Sequence, residues 1–323
     1  MVQLGKFERY LIEEFFDDYR AGVMTHRTFT RRVAFIMGSM TAASAAMLLV
    51  GCTPEEVPRG TDPMPTPSAS TTGTATASAG AVPGAKSPLS LSEGAAGLTT
   101  KTVRFAADGT AISGYLARPE SGAAGPAVLV CHENRGLTAH IQDVARRFAK
   151  AGYAALAVDL LSREGGTASL DPDAVSGALT SAGAARHVAD FAAGFDYLQA
   201  QDFVESGRIA MNGYCFGGGI TWQAATDLPG LKATAAFYGP APDLKKVPAI
   251  KAAVFGVYAE LDQRITGAMP ALRDALDATT VPHQLKVYPG VDHAFHNDTG
   301  GRYNEAQATA AWNDTLSWFG QYV

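Results

Sequence analysis

Residues 207–222 read GRIAMNGYCFGGGITW. A short β-type run, Arg208 to Met211, ends abruptly in glycine. One thiol, Cys215, stands between Gly213 and Gly217, with more glycine behind it. Strand, then G-x-C-x-G, then a helix starting near Gly217 is the pattern of a nucleophile elbow with cysteine in the nucleophile's place. Such a turn strains the nucleophile's backbone, the glycines leave room for it, and the side chain is thrust above the sheet. The helix N-terminus beneath it offers unpaired amides and partial positive charge, which favour a thiolate. The amide of the next residue, Phe216, is placed to bind an oxyanion. A buried structural cysteine beside a glycine-rich turn is the alternative, and the strand–turn–helix context favours the nucleophile.

On both sides of this stretch, strand-like and helix-like segments alternate. KTVRFAADGTAISGYLARP (101–119) reads as two strands joined at Asp108-Gly109. PAVLVCH and AALAVDL are continuous apolar runs, the mark of buried parallel strands. AHIQDVARRFAKAGY is a helix ended by Gly152, and AGAARHVADFAAGFDYLQAQ is a long helix. KATAAFYG, AAVFGVYAELD and HQLKVYPG are three more strands, with a helix near 268–278 and a closing helix over YNEAQATAAWNDTLSWF. The alternation predicts an α/β fold: a doubly wound, mostly parallel sheet of about eight strands with helices on both faces. Function in such sheets sits at the carboxyl ends of the strands.

A thiol nucleophile needs a base and a group that orients the base, in the chain order nucleophile, acid, histidine. The acid belongs after a later strand, which selects Asp262 in VYAELD. The histidine belongs after the last strand, which selects His293 in YPGVDHAFH. Asp292 adjoins His293 in sequence and points elsewhere, His283 precedes its strand, and His296 is expected at the rim. DHAFHND (292–298) carries histidines at a spacing that can meet on a helix, but nothing supplies further metal ligands.

These motifs together resemble the dienelactone hydrolase family, α/β-hydrolases with a Cys-Asp-His triad. The resemblance rests on HENRGL (132–137), DLLSR (159–163), GYCFGG (213–218), ELD (260–262) and DHAFHN (292–297), and covers essentially all of 99–323. It implies Cys215 as nucleophile, His293 as base and Asp262 as its partner. Glu133 matches the family glutamate that lies against the resting thiol and takes its proton as substrate binds. The amides of Asn134 and Phe216 would form the oxyanion hole. Arg163 matches the first of two arginines that hold a substrate carboxylate; the second arginine's place is Asn297, and Arg135 or Arg302 could supply positive charge instead. The implied activity is hydrolysis of a small-molecule ester or lactone through an acyl-enzyme, with no cofactor and no metal. The alternatives are a broad esterase or thioesterase on the same triad, and an envelope lipoprotein that only binds.

The chain has 323 residues, of which 47% are hydrophobic and 18% charged, which suits one sizeable domain plus extras. Its net charge of −5 gives no electrostatic case for nucleic acid. Three cysteines argue against a disulfide framework. Cys131 is expected inside and, if near Cys215, could pair with it. The extras lie at the N-terminus. FERYLIEEFFDDY repeats Phe7, Leu11, Phe15 and Tyr19 every four residues, so 1–30 is an amphipathic leader. Arg31 and Arg32 precede the uncharged stretch 33–50, which ends in LVGC; 31–52 therefore reads as an export signal with a twin-arginine-like front and a lipobox-like cysteine, Cys52, as the lipidation site. An uncleaved anchor is the alternative, and both place the domain outside the cytoplasm, tethered to a bacterial membrane. The Pro/Thr/Ser/Ala-rich stretch 53–98 reads as a disordered tether, and 99–323 as the hydrolase-like domain. Nothing in the sequence gives the oligomeric state.

Overall fold

The computed structural model describes residues 3–52 and 82–323. Three helices come first: α1 (Lys6–Arg20), α2 (His26–Met37) and α3 (Met40–Leu49). The domain follows as β1 (Leu98–Ala107), β2 (Thr110–Pro119), β3 (Gly125–Cys131), α4 (Ala139–Lys150), β4 (Ala154–Val158), α5 (Val175–Ala182), α6 (Ala184–Gln199), β5 (Val204–Tyr214) and α7 (Phe216–Asp227). Then come β6 (Ala233–Phe237), β7 (Ala253–Ala259), α8 (Gln263–Thr266), α9 (Met269–Asp277), β8 (His283–Tyr288) and α10 (Glu305–Tyr322).

The eight strands form one sheet in the order β1-β2-β4-β3-β5-β6-β7-β8. β1 and β2 are antiparallel to each other, β2 is antiparallel to β4, and every other pairing is parallel. Of the two runs read as buried strands, β4 is buried throughout and β3 from Ala127 onward; β6 and β7 are buried throughout as well. That double burial needs helices on each side of the sheet. α4 and α10 meet on one face, where the rings of Phe148 and Trp312 are 4.5 Å apart. α6 and α7 cover the other, where His187 lies edge-on to Phe216 at 5.4 Å. α5 and α8 are helices that the apolar pattern did not predict.

The leader packs on this domain. α1 is amphipathic as its spacing implied, burying Leu11, Ile12, Phe15 and Phe16. The Thr25 hydroxyl caps α2, accepting from the Thr28 amide, and Gly38, with φ of +73°, ends it. The Ser39 hydroxyl caps α3, accepting from the Ala42 amide. α2 and α3 meet at 104°, and no single described helix is long and apolar enough to cross a membrane. The paired arginines contact the domain: Arg31 bonds Asp171 at 3.0 Å and Arg32 bonds Asp173 at 3.1 Å.

The tether reading of 53–98 lies outside the described residues over 53–81. Over 82–97 the structure corrects it, because this stretch is held down by specific polar contacts. The Ser87 amide donates to Asp298, the Ser90 hydroxyl and Leu91 amide donate to Asp143, and Glu93 accepts from Arg146 and Tyr115. A small-residue composition hides such bonds, so residues 82–97 pack with the domain that the sequence reading started at Thr99.

Candidate active site

β5 ends at the elbow. Cys215 has φ of +57°, a left-handed conformation costly for a residue with a Cβ. Its amide donates to the Phe237 carbonyl at 3.0 Å, which ties the elbow to the end of β6. Both flanking glycines are required by close approach. A Cβ on Gly213 would lie 2.2 Å from the Gly217 carbonyl oxygen, and one on Gly217 would lie 2.4 Å from that of His132. α7 starts at Phe216, whose backbone N–H donates to the Cys215 sulfur.

Asp262 follows β7 and His293 follows β8, at the same sheet edge. Asp262 Oδ2 lies 2.6 Å from His293 Nδ1, and both side chains are buried. A ring nitrogen of His293 and the Cys215 sulfur lie within 4.8 Å of each other. Asp292 uses its carboxylate on the His293 amide at 2.7 Å. His283 is occupied by Asp277 and the Val281 carbonyl. His296 departs from its expected place at the rim: it is buried, stacked on Tyr214 at 4.9 Å, and burial pushes its pKa well down. Cys131 and Cys215 are both buried and are not joined to each other, so they stand as separate thiols.

The sequence reading missed what covers this constellation. α1 lies over it. The Tyr10 hydroxyl is 3.3 Å from the Cys215 sulfur and 3.3 Å from His293 Nε2, so it stands between the two. The Glu14 carboxylate accepts from the Cys215 thiol at 3.4 Å and from the Asn134 side-chain amide at 3.0 Å. Glu14 Oε2 is also 3.8 Å from His293 Nε2. This corrects the expectation for Glu133. The carboxylate against the thiol is Glu14, while Glu133 accepts from Asn297 at 2.6 Å. The reason is that α1 places Glu14 against the sulfur while the Asn297 side chain engages Glu133. One signal was available, since Tyr10, Glu14 and Asp18 recur every four residues on a face that is otherwise apolar.

Arg163 is also corrected. It sits on a 3₁₀ turn, bonded to Asp190 of α6 at 2.6 Å and to the Ala107 carbonyl, and Asp190 raises its pKa. A cavity of about 110 Å³ reaches Cys215, and its charged lining comes from Glu14, Asp18, Glu133, Arg32, Arg135 and Arg302, without Arg163.

The charges are strongly coupled. Burial pushes the Cys215 thiol well above a free cysteine's range, and the carboxylates of Glu14 and Glu133 add to this. Burial would lower His293, but Asp262 and then Glu14 outweigh it and raise its pKa. Burial would raise Glu14, but His293, Arg264 and Arg302 hold it below the usual carboxylate range. The arrangement is therefore a neutral thiol donating to an ionised carboxylate beside a histidine that favours its charged form. Glu14, Cys215 and His293 put ligand atoms within 4.8 Å of one another, a set of donors a thiophilic cation could use.

A strained thiol at an elbow, with an aspartate-held histidine at the same sheet edge, belongs to hydrolytic chemistry, and the comparisons agree. The profile of the Dienelactone hydrolase family matches residues 112–323. This chain belongs to that family. It is similar to a "Putative carboxymethylenebutenolidase" of Methylorubrum extorquens, 32% identical over 255 residues, which are 75% of this chain and 88% of that one. A protein of the same name from Saccharolobus solfataricus is 33% identical over 251 residues, covering 67% of this chain and 96% of its own. Among solved structures, a "Putative Dienelactone Hydrolase" of Klebsiella pneumoniae superposes with a TM-score of 0.65 at 30% identity, over 70% of this chain and 99% of that chain. This dienelactone hydrolase-like hydrolase thus carries a full-length family domain, and the family profile begins after α1–α3.

Proposed function

We propose that this chain hydrolyses small carboxylic esters or lactones through an acyl-enzyme on Cys215. The observation that carries the reading is the 2.6 Å contact between Asp262 and His293 Nδ1, made at the sheet edge where the strained elbow presents the thiol. His293 Nε2 takes the thiol proton as the sulfur bonds the carbonyl carbon. The carbonyl electrons move onto oxygen, where the amides of Phe216 and Asn134 hold them. Collapse expels the alkoxide, which takes the proton from His293. Water, deprotonated by His293, then attacks the thioester; the carbon–sulfur bond breaks and the thiol is restored.

The test compares a carboxylated dienelactone with a neutral aryl ester, using the full chain and residues 82–323, each beside Cys215→Ala. The solved relative from Klebsiella pneumoniae is 99% covered by part of this chain, so the shorter form is a complete domain. Cys215-dependent turnover favouring the lactone supports a dienelactone hydrolase. Turnover of the ester alone supports a broad esterase. No turnover of either by folded, reduced protein of both forms refutes hydrolysis and leaves a binding protein.

A second proposal concerns location: the chain is exported and tethered to a membrane through an acylated Cys52. Phe35, Met40, Leu48 and Leu49, exposed large apolar side chains in α2 and α3, would present a surface suited to lipid until processing at Cys52 removes them. Cys52 is buried against the leader, so acylation would require this segment to leave its packed position. Cys52→Ala should move the protein from the membrane fraction to the soluble one; a variant that still sediments with membranes would favour an uncleaved anchor.

A further inference from the structure

We propose that the leader, residues 6–37, is an intramolecular inhibitor of the hydrolase, with α1 docked in the catalytic cleft and turnover requiring its departure. The inference rests on the reading of Cys215 and His293 as nucleophile and base. Tyr10 places its hydroxyl 3.3 Å from each, so the thiol proton has no direct path to the histidine. Glu14 takes the thiol's hydrogen bond and the Asn134 side-chain amide, which puts a negative charge beside the place where an oxyanion must develop. The oxyanion of the tetrahedral intermediate and the Glu14 carboxylate would repel each other in a buried site.

The contacts that hold α1 are specific. Arg264 bonds Asp17 at 2.9 Å and lies 5.4 Å over the Tyr10 ring, while Arg302 bonds Asp18. Phe7 packs on Phe216, the residue after the nucleophile, with rings 5.4 Å apart. α2 adds the Arg31 and Arg32 bridges to Asp171 and Asp173. The alternative is that α1 is a permanent wall of the substrate pocket. Size decides against it: with α1 in place the cavity at Cys215 holds about 110 Å³, whereas small-molecule sites are roughly 300–1,000 Å³. The family domain, matched from residue 112 onward, is also complete without α1. α1 lies on the N-terminal side of the segment that reads as an export signal, 31–52, and α2 overlaps the start of that segment. Loss of the leader and opening of the site would therefore be one event.

Two readouts test this: the rate of Cys215 alkylation by iodoacetamide, mapped by peptide mass, and turnover of a neutral aryl ester. Residues 82–323 should exceed the full chain at least tenfold in both, and a synthetic 3–37 peptide should restore the inhibition. In the full chain, Tyr10→Ala/Glu14→Ala should raise both rates with the circular dichroism unchanged. Alkylation that rises without ester turnover would support the inhibitor and sink the hydrolase reading. Full-chain turnover that is unchanged or lower in 82–323 would leave the hydrolase standing and overturn the inhibitor. Should 82–323 fail to fold, equal rates in the full chain and the Tyr10→Ala/Glu14→Ala variant would overturn it as well.

Discussion

Phe15→Ala separates a docked leader from a permanent wall without touching the reacting atoms. Phe15 is 1% exposed, and the Arg32 guanidinium stands 5.4 Å above its ring. Truncating a buried phenylalanine costs about 3–5 kcal/mol in transfer and cavity terms. That loss falls on the docked state alone, because the undocked leader leaves residue 15 in water with either side chain. At a tenfold change per 1.4 kcal/mol, the opening constant should rise by roughly two to three and a half orders of magnitude. Because Glu14 and Tyr10 remain, any gain in thiol access comes from release of the helix rather than from loss of the groups on the sulfur. The assay is Cys215 alkylation in the full chain, distinguished from Cys52 and Cys131 by peptide mapping. The expected rate rises by the same factor until the leader is fully open and the rate levels off. A rate within about threefold of the parent, in a protein whose melting transition is otherwise unchanged, would refute the reasoning, since it would mean that the docked and reactive states bury Phe15 equally.

Two further outcomes follow from the buried charges. In residues 82–323, Asp262→Asn should lower kcat by about 10²–10⁴, by analogy with loss of the orienting acid in a triad. Because Asp262 raises the His293 pKa, the acid limb of the kcat/KM profile should also move to lower pH; a limb that stays in place would refute the coupling. Asp298 is fully buried between His140 and Arg147. Burial would raise its pKa, but those two partners hold it well below the usual carboxylate range. Its contribution is therefore present above about pH 4, the unfolded value, and is lost as pH falls through the depressed folded value. Asp298→Asn should cost about 3–5 kcal/mol at pH 7, with a smaller deficit at pH 2.5. Urea unfolding at the two pH values checks this, and a deficit that grows in acid would contradict it.

The elbow and sheet were legible because their causes are local. Close backbone approach requires Gly213 and Gly217 whatever surrounds them, and strands buried on both faces are apolar at nearly every position. Asp262 and His293 were legible because topology fixes which strand ends meet at one edge. Arg163 was misread because its partner, Asp190, lies on α6, outside the motifs that carry the resemblance. The packing of residues 82–97 was hidden because Ser87, Ser90 and Glu93 look like linker residues until Asp298, Asp143 and Arg146 are beside them. α1 was legible as an amphipathic helix, but periodicity gives a face and not its partner.

That face explains why two carboxylates occupy one site. Glu133 comes from the domain itself, on the loop after β3, and Asn297 holds it 2.6 Å away on the loop after β8. Glu14 comes from outside the family domain, yet it makes the contact with the thiol that the resemblance assigns to Glu133. Two ionised carboxylates on one buried sulfur would repel each other strongly. In the docked arrangement Asn297, at the position where the family pattern has an arginine, binds Glu133 as a neutral hydrogen-bond donor. An arginine there would add a further cation to a cleft already lined by Arg32, Arg135 and Arg302, with Arg264 and Arg302 paired to α1. The departure at Asn297 and the presence of α1 are thus two parts of one charge arrangement, in which the leader's acids meet the cleft's arginines and the domain's own glutamate is kept off the thiol.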